Sequence, residues 1–376
     1  MPFSLETGPD NVVNIKVVGV GGAGNNVVNR MVKSDTKGVD FIAINTDKQV
    51  LAVSDANLKI QIGEKLTHGQ GAGSDPEIGR KSAEENRNNI VKAFEDTDMA
   101  FITAGMGGGT GTGAAPVVAD ITKESDILTI GVVTKPFNFE GKRRMLQAEA
   151  GIQELLGKVD SLLVIPNDRL KYATDQKITM FNAFEIADSV LHQAVTSISD
   201  LIKNTGFINL DFADVTTIMK NAGYAHMGVG RASGKNKAEE AARLAVSSPL
   251  METSIDGARG VLVSITGSMD MGLEEVENAA GLVQGAAHPD ANIIFGAAFD
   301  DSMDDEIRVI VIATGFDEKA QTVSAKTADA KSQPGLFSGE RAPEAAQQKP
   351  APQSPEPKKE PEEDPFTKIL EIFNSK

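Results

Sequence analysis

Segment 101–115, FITAGMGGGTGTGAA, constrains the fold of this chain more than any other stretch. An apolar strand pattern leads into it, six glycines lie between Gly105 and Gly113, and a helix pattern follows, with Pro116 expected in its first turn. Glycine permits positive φ and lets a ligand approach the backbone without meeting a Cβ. Successive amide groups at the start of a helix form a concave site for anions. The segment therefore predicts a phosphate-binding loop between a strand and a helix.

This loop differs from a Walker A motif, which needs a lysine followed by serine or threonine. No lysine occurs between Phe101 and Thr122, so amide groups, the hydroxyls of Thr110 and Thr112, and a bound cation would have to meet the phosphate charge. A flexible glycine-rich linker is the alternative interpretation. Linkers, however, are not flanked by an apolar strand and a helix that starts with proline.

Composition excludes several kinds of site. The 376 residues suffice for two domains with separate cores. The absence of cysteine rules out disulfides and thiolate metal sites. The histidines match no metal-ligand spacing, and we expect no metal site built from side chains. They are His68, His192, His226 and His288.

Charge and hydropathy point to a cytoplasmic protein. The formal net charge of -16 disfavours binding to nucleic acid or to anionic lipid, because both require a basic surface. The first ten residues lack the features of a signal peptide, and no apolar run reaches about 18 residues. We therefore expect a soluble cytoplasmic protein whose partners are proteins or small ligands, with no nucleic acid partner.

After a polar leader over residues 1–11, segment 12–176 alternates apolar strands with helices. Helices are predicted over 25–32, 76–95 and 142–159. Buried strands separated by helices predict a parallel sheet covered on both faces, a doubly wound α/β domain that binds ligands at the carboxyl ends of its strands. The strand patterns are IKVVGV, FIAINT, LKIQI, MAFITA, ILTIGVVT and SLLVIP.

The loops after these strands are rich in glycine and polar residues. The first, GVGGAGNN, satisfies GxGxxG and precedes Asp47 by about twenty residues, a spacing that fits a dinucleotide fingerprint. An NAD-dependent oxidoreductase is thus an alternative, although it offers no hydride-transfer site and leaves Gly105 to Gly113 without a role. Three glycine-rich turns at one sheet edge suit a triphosphate better than a single pyrophosphate.

Segment 177–204 is predicted to be a long helix with apolar residues at helical spacing. Phe184 and Asp188 lie four residues apart, on one face. Such a pair could stack a purine and accept the N1 and N2 hydrogens of guanine, or Phe184 could be an ordinary core residue. In segment 205–221, Asn209, Asp211 and Asp214 fit either helix capping or the placement of a cation or water, and the pattern leaves both open.

The remaining chain divides into three parts. Residues 222–316 predict a smaller α+β domain with the order helix, strand, helix, strand, strand. Residues 317–362 are rich in proline and poor in aromatic residues, which predicts a disordered linker. In residues 363–376 a helical period returns, which predicts a docking peptide that folds on a partner protein. Its apolar positions are Phe366, Ile369, Leu370 and Phe373.

Taken in order, these motifs resemble those of the FtsZ family of tubulin-related division GTPases. They include GVGGAGNN, NTD, GAGSDPEIG, TAGMGGGTGTGAAP, VTKPFNFEGKRR, IPNDRL, FNAFEIADSVL and GFINLDFADV, and the resemblance covers residues 12–316. It implies hydrolysis of GTP to GDP and phosphate. The residues that it assigns to the GTP pocket are Gly21, Gly22, Ala23, Gly24, Asn25, Asn26, Asp47, Ala72, Gly73, Gly105, Gly107, Gly108, Gly109, Thr110, Gly111, Thr134, Glu140, Arg144, Asn167, Phe184 and Asp188.

The resemblance also implies how hydrolysis takes place. Asn209, Asp211 and Asp214 would complete the active site of the neighbouring subunit, where the carboxylates polarise the attacking water. Such a head-to-tail contact propagates into a filament, so hydrolysis would require assembly. Mg²⁺ is expected with the nucleotide, and K⁺ is a further candidate. A GTP-binding scaffold that does not hydrolyse GTP is the alternative, and the presence of all three polar residues speaks against it.

Finally, the resemblance implies a place in the cell. The filament would form a ring at mid-cell, with residues 363–376 binding division adaptors and regulators and the membrane reached only through them. The peptide DPFTKILEIFNSK lacks the family's Ile or Val before proline and the basic residue after the apolar pair. The identity of its adaptor is therefore left open.

Overall fold

The computed structural model describes residues 13–316 except 35, 37, 174–177, 180–181, 204–210, 252–253 and 301–302. Several predictions lie outside the described residues. These are the leader 1–11, Asn209, the linker 317–362 and the terminal peptide 363–376.

The described residues form ten strands and twelve α-helices. The strands are Ile15–Val20 (β1), Val39–Asn45 (β2), Leu58–Gln61 (β3), Met99–Gly105 (β4), Leu128–Lys135 (β5), Ser161–Pro166 (β6), Gly223–Ser233 (β7), Gly260–Gly267 (β8), Asn292–Phe299 (β9) and Glu306–Thr314 (β10). The helices are Gly21–Lys33 (α1), Lys48–Ala52 (α2), Glu64–Thr67 (α3), Pro76–Glu85 (α4), Arg87–Ala93 (α5), Thr110–Glu124 (α6), Lys142–Leu156 (α7), Leu170–Ala173 (α8), Ala183–Lys203 (α9), Phe212–Met219 (α10), Lys237–Val246 (α11) and Leu273–Ala286 (α12).

The strands join in one sheet, with the order β3-β2-β1-β4-β5-β6-β7-β10-β8-β9. The first six are parallel to one another, so the predicted doubly wound α/β domain is confirmed. Strand β7 runs parallel to β6, and β10 lies antiparallel between β7 and β8, which makes the second part of the sheet mixed. Within the described residues, no helix is both long and apolar enough to span a lipid bilayer.

The parallel strands are buried on both faces. Val17 and Val18 are both fully buried, yet they belong to different hydrophobic clusters. Val17 packs in the cluster that contains Leu191 and Val195 of α9, whereas Val18 packs in the cluster that contains Val118 of α6. This double burial explains why these strands read as continuous apolar runs instead of alternating patterns.

The predicted helices have different bounds in the structure: the one predicted over 25–32 is α1, which begins at Gly21, and the one predicted over 142–159 is α7, which ends at Leu156. Helix α6 begins at Thr110, so Pro116 lies inside it and the prediction of proline in the first turn was wrong. Gly109 already has helical φ and ψ, and the amide of Gly113 donates to its carbonyl, which starts the helix earlier. The helix predicted over 76–95 is interrupted at Asn86, whose side chain accepts a hydrogen bond from the amide of Gly63 at 2.8 Å.

The central helix α9 begins at Ala183, six residues after the predicted start, and ends at Lys203. The smaller domain begins with a strand, β7, that the prediction missed. Its three glycines lower strand propensity, but a Cβ on Gly228 or Gly230 would overlap the backbone of α11. Glycine therefore permits the close packing of α11 on β7.

Candidate functional site

The candidate site lies at the carboxyl edge of the parallel sheet. Val20 pairs with Ile44 and Ala104 at the ends of their strands, so the start of α1, which replaces the loop predicted after β1, and the loops after β2 and β4 leave the sheet at one level. These loops and the start of α9 enclose a cavity of 220 Å³. Its lining is Val20, Gly22, Ala23, Gly105, Met106, Gly108, Gly109, Thr110, Gly111, Thr134, Pro136, Glu140, Arg144, Asn167, Phe184, Ala187 and Asp188.

Two helix N-termini converge in this cavity. A Cβ placed on Gly21, the first residue of α1, would lie 2.8 Å from the amide nitrogen of Gly111 in the first turn of α6. Both helix dipoles therefore direct their positive ends to the same space. Apart from adjoining residues and, for Gly22, the backbone of its own helix, no heavy atom of the described chain lies within 4 Å of a Cβ placed on Gly22 or Gly108. The site can therefore surround an anion with amide groups without using a lysine.

The conformation of the glycine-rich loop is held by side chains. Gly107 adopts a φ of 98°, and its amide donates to the Thr112 hydroxyl at 2.8 Å. The hydroxyl of Thr110 lies 2.6 Å from that of Thr46, a buried residue after β2. Since Thr46 is fixed in the core, it holds the Thr110 hydroxyl at the edge of the cavity.

Asn25, predicted to contact the ligand, has a side chain that is completely buried and bonded within the protein. Its amide nitrogen donates to the carbonyl of Gly19 at 2.7 Å, and its carbonyl oxygen accepts from Asn45 at 2.7 Å. These bonds join the ends of β1 and β2. The structure thus gives Asn25 a positioning contact, while its predicted contact with a nucleotide stays a prediction.

The other end of the cavity is aromatic and acidic. The Phe184 side chain is 46% exposed and meets the rings of Phe137 and Phe139 edge-on, at centroid distances of 5.6 and 6.5 Å. Asn167 is 5% exposed, and its Oδ1 atom is buried without a hydrogen-bond partner in the described part of the chain. A planar ligand with N–H groups could stack on Phe184 and donate to Asn167 and Asp188.

The Asp188 carboxyl is the main titratable group of the site. Burial raises its pKa to about 7, the charge of Arg30 acts in the opposite direction, and Glu185 raises it further. Burial makes the ionised carboxylate costly, and a ligand N–H that donates to the carboxylate stabilises this ionised form. The carboxyl is thus suited to a ligand that presents hydrogen-bond donors.

Glu140 and Arg144 form an ion pair at the rim, with 2.9 Å between Arg144 Nη1 and Glu140 Oε2. The other carboxylate oxygen of Glu140 accepts from the amide of Phe137 at 2.8 Å. These bonds hold both charged side chains beside the cavity, where they could contact ligand hydroxyls.

Eight predicted contact residues lie outside the lining: Gly21, Gly24, Asn25, Asn26, Asp47, Ala72, Gly73 and Gly107. Asp47 caps α2 by accepting from the amide of Gln49 at 2.8 Å, and Asn26 is exposed on α1. Buried Ala72 adjoins Gly109, since the Cβ of Ala72 would be 2.9 Å from a Cβ placed on Gly109.

The prediction missed four lining residues, whose side chains are apolar and so gave no signal of a binding site. They are Val20, Met106, Pro136 and Ala187.

The predicted catalytic carboxylates lie elsewhere. Asp211 caps α10, and its own amide donates to Asp214 at 3.3 Å. At the end of α10, the carbonyl of Met219 accepts from Ser161, the first residue of β6, at 2.6 Å. Helix α10 therefore lies at the amino edge of the sheet, and neither carboxylate lines the cavity.

A larger cavity of 710 Å³ lies between α9 and strands β8, β9 and β10. It contains none of the predicted site residues. Three polar atoms at its wall are buried and have no hydrogen-bond partner among the described residues. They are Gln193 Nε2, Thr196 Oγ1 and Arg308 Nε.

The described residues contain no group of three His, Asp or Glu side chains arranged to hold a metal ion. A cation at the carboxyl edge would therefore take most of its ligands from a bound phosphate group and from water, and the Thr110 hydroxyl is one side-chain oxygen of the lining.

Comparison with known proteins gives consistent matches. Residues 14–175 match the GTPase domain of the Tubulin/FtsZ family, and residues 223–317 match the C-terminal domain of the FtsZ family. An empty FtsZ dimer from M. jannaschii is 44% identical, with 81% of this chain and 88% of that chain covered and a TM-score of 0.78. A GTPgS-bound protofilament of CetZ2 from Haloferax volcanii shares the fold at 20% identity, with 85% and 98% covered and a TM-score of 0.70.

Proposed function

The chain belongs to the tubulin/FtsZ family of GTPases, and we propose that it is a polymerising cytoskeletal GTPase of cell division. In this proposal, subunits bind GTP, assemble head to tail and hydrolyse GTP to GDP and phosphate at the subunit interface. The filament forms a ring at mid-cell in the cytoplasm. The similarity to an FtsZ dimer supports the self-association.

The carboxyl-edge cavity is the proposed GTP site, and its two ends fit the two ends of this nucleotide. The convergent N-termini of α1 and α6 offer amides and positive helix dipoles to the phosphates. At the other end, Asn167 Oδ1 and the Asp188 carboxylate are acceptors for guanine N–H groups, while Phe184 offers a stacking surface. Adenine lacks the N1 and N2 donors of guanine. We therefore propose selectivity for GTP over ATP.

The observation that carries the assembly proposal is the position of α10. Phosphoryl transfer needs a group that orients the attacking water. Asp211 and Asp214 are suited to this, but α10 is bonded to the amino edge of the sheet and the cavity lies at the carboxyl edge. A second copy stacked head to tail would bring its α10 to the first copy's cavity, together with the predicted partner residue Asn209. Repetition of this contact yields a filament.

A cation completes the proposed phosphate site. We propose Mg²⁺, carried by phosphate oxygens and water, since no group of three ligating side chains lies within the described residues. K⁺ is a second proposed cation. In this arrangement the protein's own part is to place the phosphates through the backbone of the glycine-rich loop.

The last residues of the chain are proposed to recruit the protein to the division site. We propose that residues 363–376 bind division adaptors and regulators, and that these proteins provide the only link to the membrane. Deletion of these residues should leave filament assembly intact and remove the protein from the division site. Unchanged recruitment of the deleted protein would contradict this role.

The proposal is tested by measuring phosphate release and light scattering over a series of protein concentrations with GTP. If each site needs two subunits, the rate per subunit rises with protein concentration as scattering appears. A rate per subunit that does not depend on concentration would contradict hydrolysis at an interface. NAD binding in preference to GTP would contradict the nucleotide assignment itself.

A further inference from the structure

One short turn touches both the proposed base site and the smaller domain. Residues Asn167–Arg169 form a 3₁₀ turn directly after β6. Leu170, the next residue, is fully buried in the core and fixes the end of the turn. The three side chains of the turn contact three different parts of the molecule.

Asn167 faces the cavity. Its side chain is buried, and the Oδ1 atom has no hydrogen-bond partner among the described residues. No described protein group occupies this acceptor, so a ligand N–H in the cavity can donate to it. Ligand binding therefore favours this placement of the turn over others in which Asn167 reaches another donor.

Asp168 holds the loop that forms one wall of the same cavity. Its Oδ2 atom accepts from the amide of Asn138 at 3.1 Å. Asn138 begins the short turn that carries Phe139 and Glu140. The placement of the Asn167–Arg169 turn and that of the cavity wall are therefore connected by a direct hydrogen bond.

Arg169 reaches the segment that follows α11. Its Nη1 atom donates to the carbonyls of Met251 at 2.5 Å and Pro249 at 3.3 Å. Leu250 packs in the core cluster that contains α9 and β6, whereas Met251 packs in the cluster of the smaller domain. One guanidinium thus holds a segment that belongs to both cores.

We propose that Arg169 is a positioning residue that couples occupancy of the base site to the ordering of segment 249–251. Ligand bound at Asn167 fixes the turn, the fixed turn holds the Arg169 guanidinium, and the guanidinium holds the two carbonyls. Segment 249–251, which packs in the core of the smaller domain through Met251, is therefore held more firmly when nucleotide is bound. This inference rests on the proposed function, because it takes the ligand to be a guanine nucleotide.

Hydrogen exchange on the full chain tests the coupling, with GDP as the probe so that hydrolysis plays no part. The amides of Leu250 and Met251 both donate to Ser248, so their exchange reports on this segment. Saturating GDP should slow their exchange on the order of fivefold in the wild-type protein, the lower end of typical coupling between sites. In Arg169→Met at GDP saturation, this slowing should disappear.

Two further variants make the result specific. Arg243→Met removes an exposed arginine of α11 that pairs with Glu239, and it should keep the full GDP-linked slowing. Arg169→Lys keeps one cationic donor, so it should retain part of the effect, and it supplies the measurement if Arg169→Met does not fold. Equal slowing in wild type and Arg169→Met would overturn the coupling, as would GDP binding without slowing in the wild type. Failure of the wild type to bind GDP would instead overturn the proposed function, and the coupling with it.

Discussion

The two edges of the parallel sheet are built in different ways. At the carboxyl edge, strands that end at one level direct glycine-rich loops and two helix N-termini into one cavity. At the amino edge, α10 presents Asp211 and Asp214 on a capped helix whose other end is bonded to the start of β6. The first edge is a concave site made largely of backbone. The second carries exposed carboxylates that line none of the described cavities, and a separate cavity at this edge is lined in part by Asn14, Asp98 and Ile127, which precede β1, β4 and β5.

The distance between the edges explains why nucleotide binding and catalysis are proposed to use residues of different subunits. Strand β6 has six residues, so its two ends are about 20 Å apart at about 3.3 Å per residue. A carboxylate must come within hydrogen-bond reach of the water that it orients, about 3 Å. In the proposed mechanism, binding and hydrolysis are therefore separated within one chain and meet only between chains.

The largest effect should come from Asp214→Ala, which tests the amino edge alone. We expect GTP hydrolysis to fall by about 100-fold or more, the usual contribution of a group that positions or deprotonates the nucleophile. GTP binding by the monomer should not change, because Asp214 is remote from the cavity. Phosphate release and equilibrium nucleotide binding measure the two quantities separately.

The matched control for that variant is Thr217→Ala on the exposed side of the same helix. Its hydroxyl donates to the carbonyl of Ala213, a bond within the helix at 2.8 Å, so hydrolysis should persist. A loss of monomer affinity for GTP in Asp214→Ala would place this carboxylate in its own chain's pocket, which would remove the contrast between the edges.

The next effect separates two roles of glycine at the carboxyl edge. A Cβ on Gly113 would overlap the carbonyl oxygen of Pro76, where α4 packs on α6, so Gly113→Ala should lower the free energy of unfolding by about 3 kcal/mol. A Cβ on Gly108, which lines the cavity, meets no heavy atom of the described chain beyond its chain neighbours. Gly108→Ala should therefore fold normally and bind GTP about tenfold more weakly, a loss of about 1.4 kcal/mol. Denaturant unfolding and nucleotide titration distinguish the two, and equal behaviour of both variants would refute this division.

A third effect follows from the Asp188 carboxyl. Its pKa is raised by burial to about 7, so this group favours the folded empty protein below the unfolded value of 3.8 and loses that contribution as pH rises through 7. Guanine binding requires the ionised form, so affinity should be about tenfold higher at pH 8 than at pH 6. Asp188→Asn should bind more weakly and with little pH dependence over this range. A wild-type affinity that is constant from pH 6 to pH 8 would contradict the role of this carboxylate.

The smallest effect concerns the 710 Å³ cavity, which belongs to neither edge. Burial lowers the pKa of the Arg308 guanidinium, and the charge of Arg231 acts in the same direction. Because a buried cation is costly, Arg308→Met should raise the free energy of unfolding, by about 1 kcal/mol or less. GTP affinity should be unaffected. Weaker GTP binding by this variant would extend the nucleotide site into the larger cavity.

Much of the carboxyl edge was predictable from sequence because its determinants are local. A strand followed by GMGGGTGTG fixes both the conformation and the place of the loop at a sheet end. The parallel pairing of the first six strands follows from their continuous apolar runs, and the structure confirms it, whereas their order in the sheet was not predicted. The convergence of Thr134, Asn167 and Phe184 on the cavity likewise follows from their positions at the end of β5, directly after β6 and at the start of α9.

Features that depend on packing between distant segments could not be read in the same way. Strand β7 was missed because Gly228 and Gly230 resemble turn residues until α11 is seen to pack on them. The side chain of Asn25 follows a glycine motif, yet its hydrogen bonds go to Gly19 and Asn45. The hydrogen bond from Arg169 to Met251 joins residues 82 positions apart. No local sequence pattern predicts that a guanidinium will bond to distant backbone carbonyls.

The pairing of β6 with β7 has a mechanical consequence. Only three residue pairs connect these strands, from Ser161 to Leu163 on β6, whereas eight pairs connect β7 to β10. A tensile load passed across the sheet is carried at this seam by three strand pairs, together with the side-chain bonds and the core packing of α9 beside them. In a chain of linked subunits, the seam between β6 and β7 would be more compliant than the eight-pair junction between β7 and β10.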